Sequence, residues 1–231
     1  KDNRRIIRID LPGFGLTGPI VNGTYDIKPY SAVISGFLNA LDVPPVVLGG
    51  NSLGGCIAWR TALEYPTQVS RLILVDSRGY PMESSSIPIG FRMAQLNLLK
   101  PIMTRILPRA FVKASVQSVY HDASKVSEEL VDRYYELTLR AGNRAALFER
   151  FRLIREGDQD ARSFHLIKGI RQATLILWGA EDKLLLESAG RKFEKDIANS
   201  EYVVFDDLGH VPQEEDPARS VLPVLRFLRK M

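Results

Sequence analysis

The feature that most constrains the fold is a series of short apolar runs rich in β-branched residues, separated by longer amphipathic stretches. Near-continuous hydrophobicity of this kind is typical of strands that are buried on both faces of a parallel sheet. The runs lie at Arg5 to Ile9, Pro45 to Leu48, Arg71 to Val75, Thr174 to Trp178 and Tyr202 to Phe205. The helical patterns lie at Ser31 to Leu41, Leu53 to Tyr65, Ser188 to Ile197 and Pro217 to Leu228. This alternation predicts an α/β fold with a mostly parallel sheet flanked by helices.

One long stretch, residues 82–168, breaks the alternation because it contains no convincing strand and places its apolar residues at helical spacing. A helical insertion in an α/β chain can cover a site on the sheet. We therefore expect residues 1–81 and 169–231 to form one α/β core, and residues 82–168 to form a helical cap inserted into it.

Two helix boundaries can be predicted inside this insertion. Ser127 is suited to cap a helix that has Glu128 in its first turn, and Gly142 is suited to end it. Asn143 is suited to cap the next helix, which we expect to end at Gly157.

The composition is that of an ordinary globular protein: 45% of the 231 residues are hydrophobic and 25% are charged. The formal net charge is +4, but basic and acidic residues alternate, so we expect no nucleic-acid partner. No apolar stretch approaches the roughly 20 residues of a membrane span, and no signal peptide is visible, so we expect a cytoplasmic protein without a membrane span. The single Cys56 excludes an internal disulfide and a multi-cysteine metal site, and we expect it in the core. We predict no cofactor and no metal, and the oligomeric state stays open.

A glycine-rich turn around Ser52 is the first candidate for chemistry. The segment from Gly50 to Gly54, GNSLG, matches the pattern G-x-S-x-G between a predicted buried strand and a predicted helix. There a sharp turn exposes the serine hydroxyl at the carboxyl end of the sheet, and the two flanking glycines prevent collisions. The Leu53 N–H at the helix N-terminus then faces a developing oxyanion. The alternative is a turn in which Ser52 only caps the helix.

A serine hydroxyl is a poor nucleophile without a base, and the chain has three histidines. His121 and His165 fall in the predicted insertion, where surface or packing roles are expected. His210 lies in a loop after the last predicted strand, so we expect it at the same edge of the sheet as Ser52.

A carboxylate must orient that histidine. Asp182 follows the fourth apolar run and precedes His210, which gives the chain order Ser, Asp, His. Asp76, at the end of the third run, is the rival acid, and capping the chain that leaves the sheet is its non-catalytic alternative. Asp206 and Asp207 are too close to His210 in sequence to be preferred.

The chain resembles the α/β-hydrolase superfamily, in particular capped bacterial serine hydrolases such as esterases and meta-cleavage product C–C hydrolases. Five motifs carry the resemblance: DLPGFGLT, GGNSLGG, YPTQVSRLILVDSRGYP, LILWGAEDKLL and LGHVPQEEDP, in this order. The resemblance implies that Ser52 is the nucleophile, Asp182 the acid and His210 the base, with the Leu53 N–H in the oxyanion hole. The turn from Gly50 to Gly54, called the elbow below, carries a serine and not an aspartate, which argues against the dehalogenase and epoxide hydrolase branches of the superfamily.

The same resemblance implies that something is missing at the start of the chain. Family members carry about three more strands and a helix before the DLPGFG segment, and a loop with an HG dipeptide that supplies a second oxyanion donor. Here that segment begins at Asp10, and no HG dipeptide occurs. We expect either that an upstream part is absent, or that Arg5 to Ile9 has moved beside Pro45 to Leu48 and closed a smaller sheet. We also expect weak or absent esterase activity, restored when the preceding segment is included.

These residues together predict a serine hydrolase that forms an acyl-enzyme with a carboxylic ester or a related activated carbonyl. Its partner would be a small apolar ester or ketone substrate. C–C bond hydrolysis of a vinylogous diketone by the same triad is the alternative among enzymes. A catalytically weak member that binds a ligand in the capped pocket is the alternative from another class, because the oxyanion loop is missing.

Overall fold

A parallel four-stranded sheet forms the centre of the computed structural model, which describes residues 4–20, 24–81, 105–155 and 163–230. The strands lie side by side in chain order: β1 (Val46–Asn51), β2 (Val69–Val75), β3 (Ala173–Gly179) and β4 (Ser200–Phe205). All four coincide with predicted apolar runs and extend each by a few residues. Because they are parallel and adjacent, their carboxyl ends meet along one edge of the sheet.

Helices precede, connect and follow these strands. They are α1 (Ile27–Ala40), α2 (Leu53–Glu64), α3 (Arg109–Val119), α4 (Glu128–Thr138), α5 (Asn143–Arg155), α6 (Glu187–Asp196), α7 (Pro212–Glu215) and α8 (Pro217–Arg229). Short 3-10 helices lie at Ala123–Lys125 and Phe164–Gly169. In the described part of the chain, no helix is both long and apolar enough to span a bilayer.

The two faces of the sheet pack against different helices because successive strand side chains point in opposite directions. Leu72 and Leu74 of β2 lie in the larger core, which α1, α2 and α6 complete. Val75 of β2 and Leu177 of β3 lie in a second core on the opposite face, with Phe227 of α8. The sheet is therefore flanked by helices on both faces, as the apolar runs predict.

The predicted strand at Arg5 to Ile9 is wrong. Residues 4–10 have no regular secondary structure, and Ile6 is 82% exposed. The proposed smaller sheet is wrong as well, because among the described residues β1 pairs only with β2. An apolar, β-branched run forms a strand only where a neighbour takes up its backbone hydrogen bonds, and the described part of the chain offers this run no such neighbour.

Between β2 and β3, the described residues form helices joined by turns and loops, with no strand among them. Ser127 caps α4 as predicted, because its side chain accepts a hydrogen bond from the Leu130 N–H. The cap predicted at Asn143 is wrong: its amide donates instead to the carbonyls of Gly15 and Leu137. The predicted stop at Gly157 lies outside the described residues. So do residues 82–104 and 156–162, and the boundaries 82–168 therefore stay a prediction.

Candidate active site

Ser52 occupies a sharp, strained turn between β1 and α2. Its backbone has φ +52° and ψ −113°, a conformation that costs a non-glycine residue about 1–3 kcal/mol and persists only where surrounding contacts enforce it. Those contacts are present: the Ser52 N–H donates to the carbonyl of Val75 at 2.9 Å, and the Arg78 N–H donates to the Ser52 carbonyl at 3.1 Å. The end of β2 therefore holds the elbow, and Leu53 follows as the first residue of α2.

One of the two flanking glycines is required by sterics and the other is not. A Cβ at Gly50 would lie 2.2 Å from the backbone carbonyl carbon of Gly54, whereas a Cβ at Gly54 meets nothing within 4 Å. Gly55 is also constrained, because a Cβ there would lie 2.5 Å from Oγ of Ser77. The predicted steric role is thus confirmed for Gly50, wrong for Gly54, and shared by Gly55.

His210 and Asp182 form a buried, hydrogen-bonded pair. Nδ1 of His210 lies 2.6 Å from Oδ2 of Asp182, and the two residues are 5% and 2% exposed. The other oxygen, Oδ1, accepts hydrogen bonds from the N–H groups of Leu184 and Leu185 at 2.7 and 2.9 Å. Both carboxylate oxygens are therefore occupied, and Asp182 is fixed with one oxygen toward the imidazole.

Asn51 connects this pair to the elbow. Its amide Nδ2 donates to the backbone carbonyl of His210 at 2.9 Å and to the carbonyl of Val75 at 3.2 Å. Because Asn51 immediately precedes Ser52, this bridge holds the His210 loop beside the serine. Among the described side chains, no hydrogen bond joins the Ser52 hydroxyl to the imidazole, and such contacts often tighten only when substrate is bound.

Asp76 is the third acidic residue at this edge. It is fully buried, has φ +40°, and accepts a hydrogen bond at Oδ1 from the Gly179 N–H at 3.0 Å. Burial raises the pKa of the Asp76 carboxyl well above its usual range, and the negative charge of Asp182 raises it further. The rival acid thus lies beside the pair, but Asp182 is the residue that contacts His210.

Glu215 is a site residue that the sequence analysis missed. It is 5% exposed and accepts three backbone hydrogen bonds, from Gly209 at 2.9 Å, His121 at 3.1 Å and Asp122 at 2.8 Å. It therefore joins the loop that carries His210 to the segment that follows α3. The sequence signal was weak, because the motif PQEEDP resembles an ordinary acidic first helical turn.

The remaining candidates lie where the sequence analysis placed them. His165 is exposed, and His121 lies half-exposed with Nδ1 at 3.6 Å from a carboxylate oxygen of Glu181. Asp206 and Asp207 are exposed, and Cys56 is fully buried in the core.

In the described part of the chain, Asp76, Asp182 and His210 are the histidine and acidic side chains grouped closely enough to hold a metal ion, with one ligand atom of each within 4.8 Å of the others. Asp182 and His210 already bond to each other at 2.6 Å, which leaves no room for a cation between them. The arrangement fits an acid–base pair better than a metal site.

Comparison with known proteins supports the same reading of the fold. The family model described as the alpha/beta hydrolase fold matches residues 1–217. An uncharacterized hydrolase of Bacillus subtilis, YugF, is 30% identical over 221 residues, which cover 94% of this chain and 77% of that protein.

Two further relatives carry more specific names. A 2-hydroxy-6-oxononadienedioate/2-hydroxy-6-oxononatrienedioate hydrolase of Burkholderia vietnamiensis is 28% identical over 229 residues, covering 98% of this chain and 77% of that protein. The solved structure of a meta-cleavage product hydrolase from Pseudomonas fluorescens IP01, CumD, superimposes with a TM-score of 0.79 at 26% identity, covering 96% of this chain and 78% of that chain. The matched residues extend over the sheet, the elbow and the His210 loop, and the chain therefore belongs to the α/β-hydrolase family of enzymes.

Proposed function

We propose that this hydrolase is a serine hydrolase in which Ser52 is the nucleophile, His210 the base and Asp182 the acid. The observation that carries the proposal is the buried contact between Nδ1 of His210 and Oδ2 of Asp182, with Asn51 holding the His210 loop beside Ser52. This is the base-and-orienter geometry that an activated serine requires.

The proposed reaction forms and then hydrolyses an acyl-enzyme. Nε2 of His210 takes the proton of the Ser52 hydroxyl, and Oγ attacks the carbonyl carbon of the substrate. The Leu53 N–H, which has no carbonyl partner within α2, donates to the oxyanion. His210 then protonates the leaving group and activates water to release the acyl group. Asp182 keeps the imidazole in the correct tautomer and stabilises its charged form.

The substrate class is an activated carbonyl on a small apolar molecule. A carboxylic ester is the first candidate, since the proposed residues supply the nucleophile, the base and one oxyanion donor that ester cleavage uses. Hydrolysis of a C–C bond in a vinylogous diketone is the second candidate, because the Burkholderia vietnamiensis relative and the CumD structure are named for dienoate and meta-cleavage product hydrolysis.

The helical region between β2 and β3 is proposed as a cap over this site. Its described part contacts the loop that carries His210. The His210 N–H donates to the carbonyl of Val119 at 2.8 Å, and Val211 packs in a cluster with Val112, Val116 and Val131. These contacts place α3 and α4 next to the loop that carries the proposed base, where a cap would select the substrate.

The first test is covalent labelling. A fluorophosphonate probe reacts with an activated serine, so we expect labelling of the wild-type chain and none of Ser52→Ala. Asp182→Asn should slow labelling by several orders of magnitude, because the imidazole then takes the wrong tautomer. Unlabelled wild-type protein with a normal unfolding transition would contradict the enzyme proposal and favour a ligand-binding member.

The second test separates the two substrate classes. Steady-state kcat/KM is measured for a series of nitrophenyl esters and for a ring-fission dienoate, with Ser52→Ala as the blank for each. A kcat/KM that is higher for esters supports the ester reading, and one that is higher for the dienoate replaces it with C–C hydrolysis.

A further inference from the structure

The carboxyl group of Asp76 is a buried acid whose second oxygen has no hydrogen-bond partner. Oδ1 accepts from the Gly179 N–H at 3.0 Å, but Oδ2 is buried and unpaired among the described residues. An unsatisfied buried oxygen is costly, and an ionised one without a partner is far more so. The proposed mechanism assigns this group no task.

Among the described residues, no cation is found among the groups that shift the pKa of Asp76, so none offsets a negative charge on it. Asp182 and His210 face it from the loops after β3 and β4, each with one side-chain atom within 4.8 Å of the others. Tyr202 of β4 is a further titratable neighbour, and burial first, and then the charge of Glu187, raises the pKa of its phenol. His210 is already bonded to Asp182, so the Asp182 carboxylate is the group of this cluster that can accept a hydrogen bond from a protonated Oδ2.

Protonation of Oδ2 removes both the unpaired buried oxygen and the uncompensated negative charge. The proton makes Asp76 a hydrogen-bond donor, and the neighbouring carboxylate of Asp182 is an acceptor with oxygen lone pairs to spare. Burial and the charge of Asp182 both raise the pKa of the Asp76 carboxyl, which agrees with this state. A carboxylic acid kept neutral by an apolar site so that it can donate a hydrogen bond is a known device in other enzymes.

We propose that Asp76 is a positioning residue: it stays a neutral carboxylic acid and donates a hydrogen bond from Oδ2 to the Asp182 carboxylate. This bond holds Asp182 toward His210 and moderates the charge that Asp182 presents to the imidazole. The inference rests on the proposed triad, but its effect on the imidazole can be measured without turnover.

The test follows the ring resonances of His210 by NMR as a function of pH, which is practical because the chain has three histidines. Asp76→Asn keeps a donor and the acceptor for Gly179, suits the positive φ, and cannot ionise. It should leave the midpoint of the His210 titration unchanged. Asp76→Gly also suits the positive φ but removes the donor. It should raise the midpoint by about one pH unit, because Asp182 then presents its full charge to the ring.

The opposite sign would overturn the proposal. If Asp76 were ionised, either substitution would remove a negative charge beside the ring and lower the midpoint. A midpoint unchanged in both variants would make Asp76 a spectator and overturn the proposal as well. Should Asp76→Gly fail to fold, Asp76→Ala supplies the same comparison, because alanine also lacks a side-chain donor.

Two further readouts keep this inference separate from the proposed function. The infrared band of a buried protonated carboxyl should be present in the wild type and absent in Asp76→Asn, and its absence from the wild type would contradict a neutral Asp76. Fluorophosphonate labelling of Ser52 tests the nucleophile independently, so failure to label would refute the proposed function without changing the titration result.

Discussion

At the scale of single residues, backbone strain is concentrated at the edge of the sheet that carries the proposed site. Among the described non-glycine residues, positive φ occurs at Asp42, Ser52 and Asp76, and the last two immediately follow the adjacent strands β1 and β2. Each such residue costs about 1–3 kcal/mol, so neighbouring contacts must enforce it. The elbow therefore depends on the tight packing that Gly50 and Gly55 allow.

The steric difference between the two glycines of the elbow can be tested directly. Gly50→Ala should lower the free energy of unfolding by about 1–3 kcal/mol and abolish labelling of Ser52, because the new Cβ overlaps the backbone of Gly54. Gly54→Ala, with open space and a helical position, should raise that free energy by up to about 1 kcal/mol and keep the label. Urea unfolding and probe labelling measure both, and equal effects of the two substitutions would refute the steric account.

At the scale of elements, the short helix α7 joins the His210 loop to the helices between β2 and β3. Glu214 accepts from the hydroxyl of Tyr134 at 2.9 Å and from that of Tyr120 at 3.2 Å, and Glu215 accepts the three backbone donors described above. Glu214 is exposed and Glu215 is buried. Two adjacent glutamates therefore hold the same junction with very different degrees of burial.

This pair supplies a matched test of the junction. Glu215→Gln replaces one carboxylate oxygen by an amide that faces N–H donors, so it should lower the free energy of unfolding by about 1–3 kcal/mol. Amide hydrogen exchange at Gly209, His121 and Asp122 should become faster. Glu214→Gln, at an exposed position, should change stability by no more than about 0.5 kcal/mol. Equal exchange rates in the two variants would show that Glu215 does not hold the loop.

Predictions from sequence succeeded for elements whose partners follow from the pattern itself. The runs that became β2 and β3 are apolar on both sides, and each has a strand on either side. The run at Arg5 to Ile9 looked equally suitable but found no neighbour among the described residues. Asn143 failed as a cap for a similar reason: a tertiary partner, Gly15, competed for its side chain. The local sequence pattern gives a segment's propensity for a strand or a helix cap. Contacts with residues distant in the chain decide whether that strand or cap forms.

At the scale of the whole molecule, the order β1, β2, β3, β4 brings four loops to one edge, and with them Ser52, Asp76, Asp182 and His210. The burial of several acidic groups at this edge disfavours the ionised form of Asp76. Burial first, and then the charge of Asp182, raises the pKa of its carboxyl well above the usual value. The stability of the whole chain must therefore depend on the pH.

The sign of that dependence follows from proton uptake. Unfolded Asp76 ionises near pH 3.9, whereas the folded carboxyl ionises at a much higher pH. Its contribution to stability is fully present below about pH 4 and is lost as the pH rises toward the folded pKa, by up to about 1.4 kcal/mol per pH unit. Asp76→Asn takes up no proton, so its free energy of unfolding relative to wild type should increase between pH 4 and pH 7.

Urea unfolding at several pH values measures this difference. Asp42→Asn serves as the control, because it makes the same substitution at an exposed residue with a similar positive φ of 49°. A difference between Asp76→Asn and wild type that stays constant with pH would show that the folded Asp76 carboxyl titrates normally.

The sequence by itself determined the α/β class, four of the five predicted strands and the turn around Ser52, and it named His210 with Asp182 or its rival Asp76 as candidates, since buried runs and glycine-rich turns leave a local signature. Tertiary structure alone decided that Asp182 rather than Asp76 contacts the imidazole, that Asn51 and Glu215 hold the His210 loop, and that Arg5 to Ile9 forms no strand. The reason is physical. A side chain's hydrogen-bond partner and its burial depend on groups that are distant in the chain. The local sequence pattern does not show which of those groups lies within hydrogen-bond distance in the folded protein.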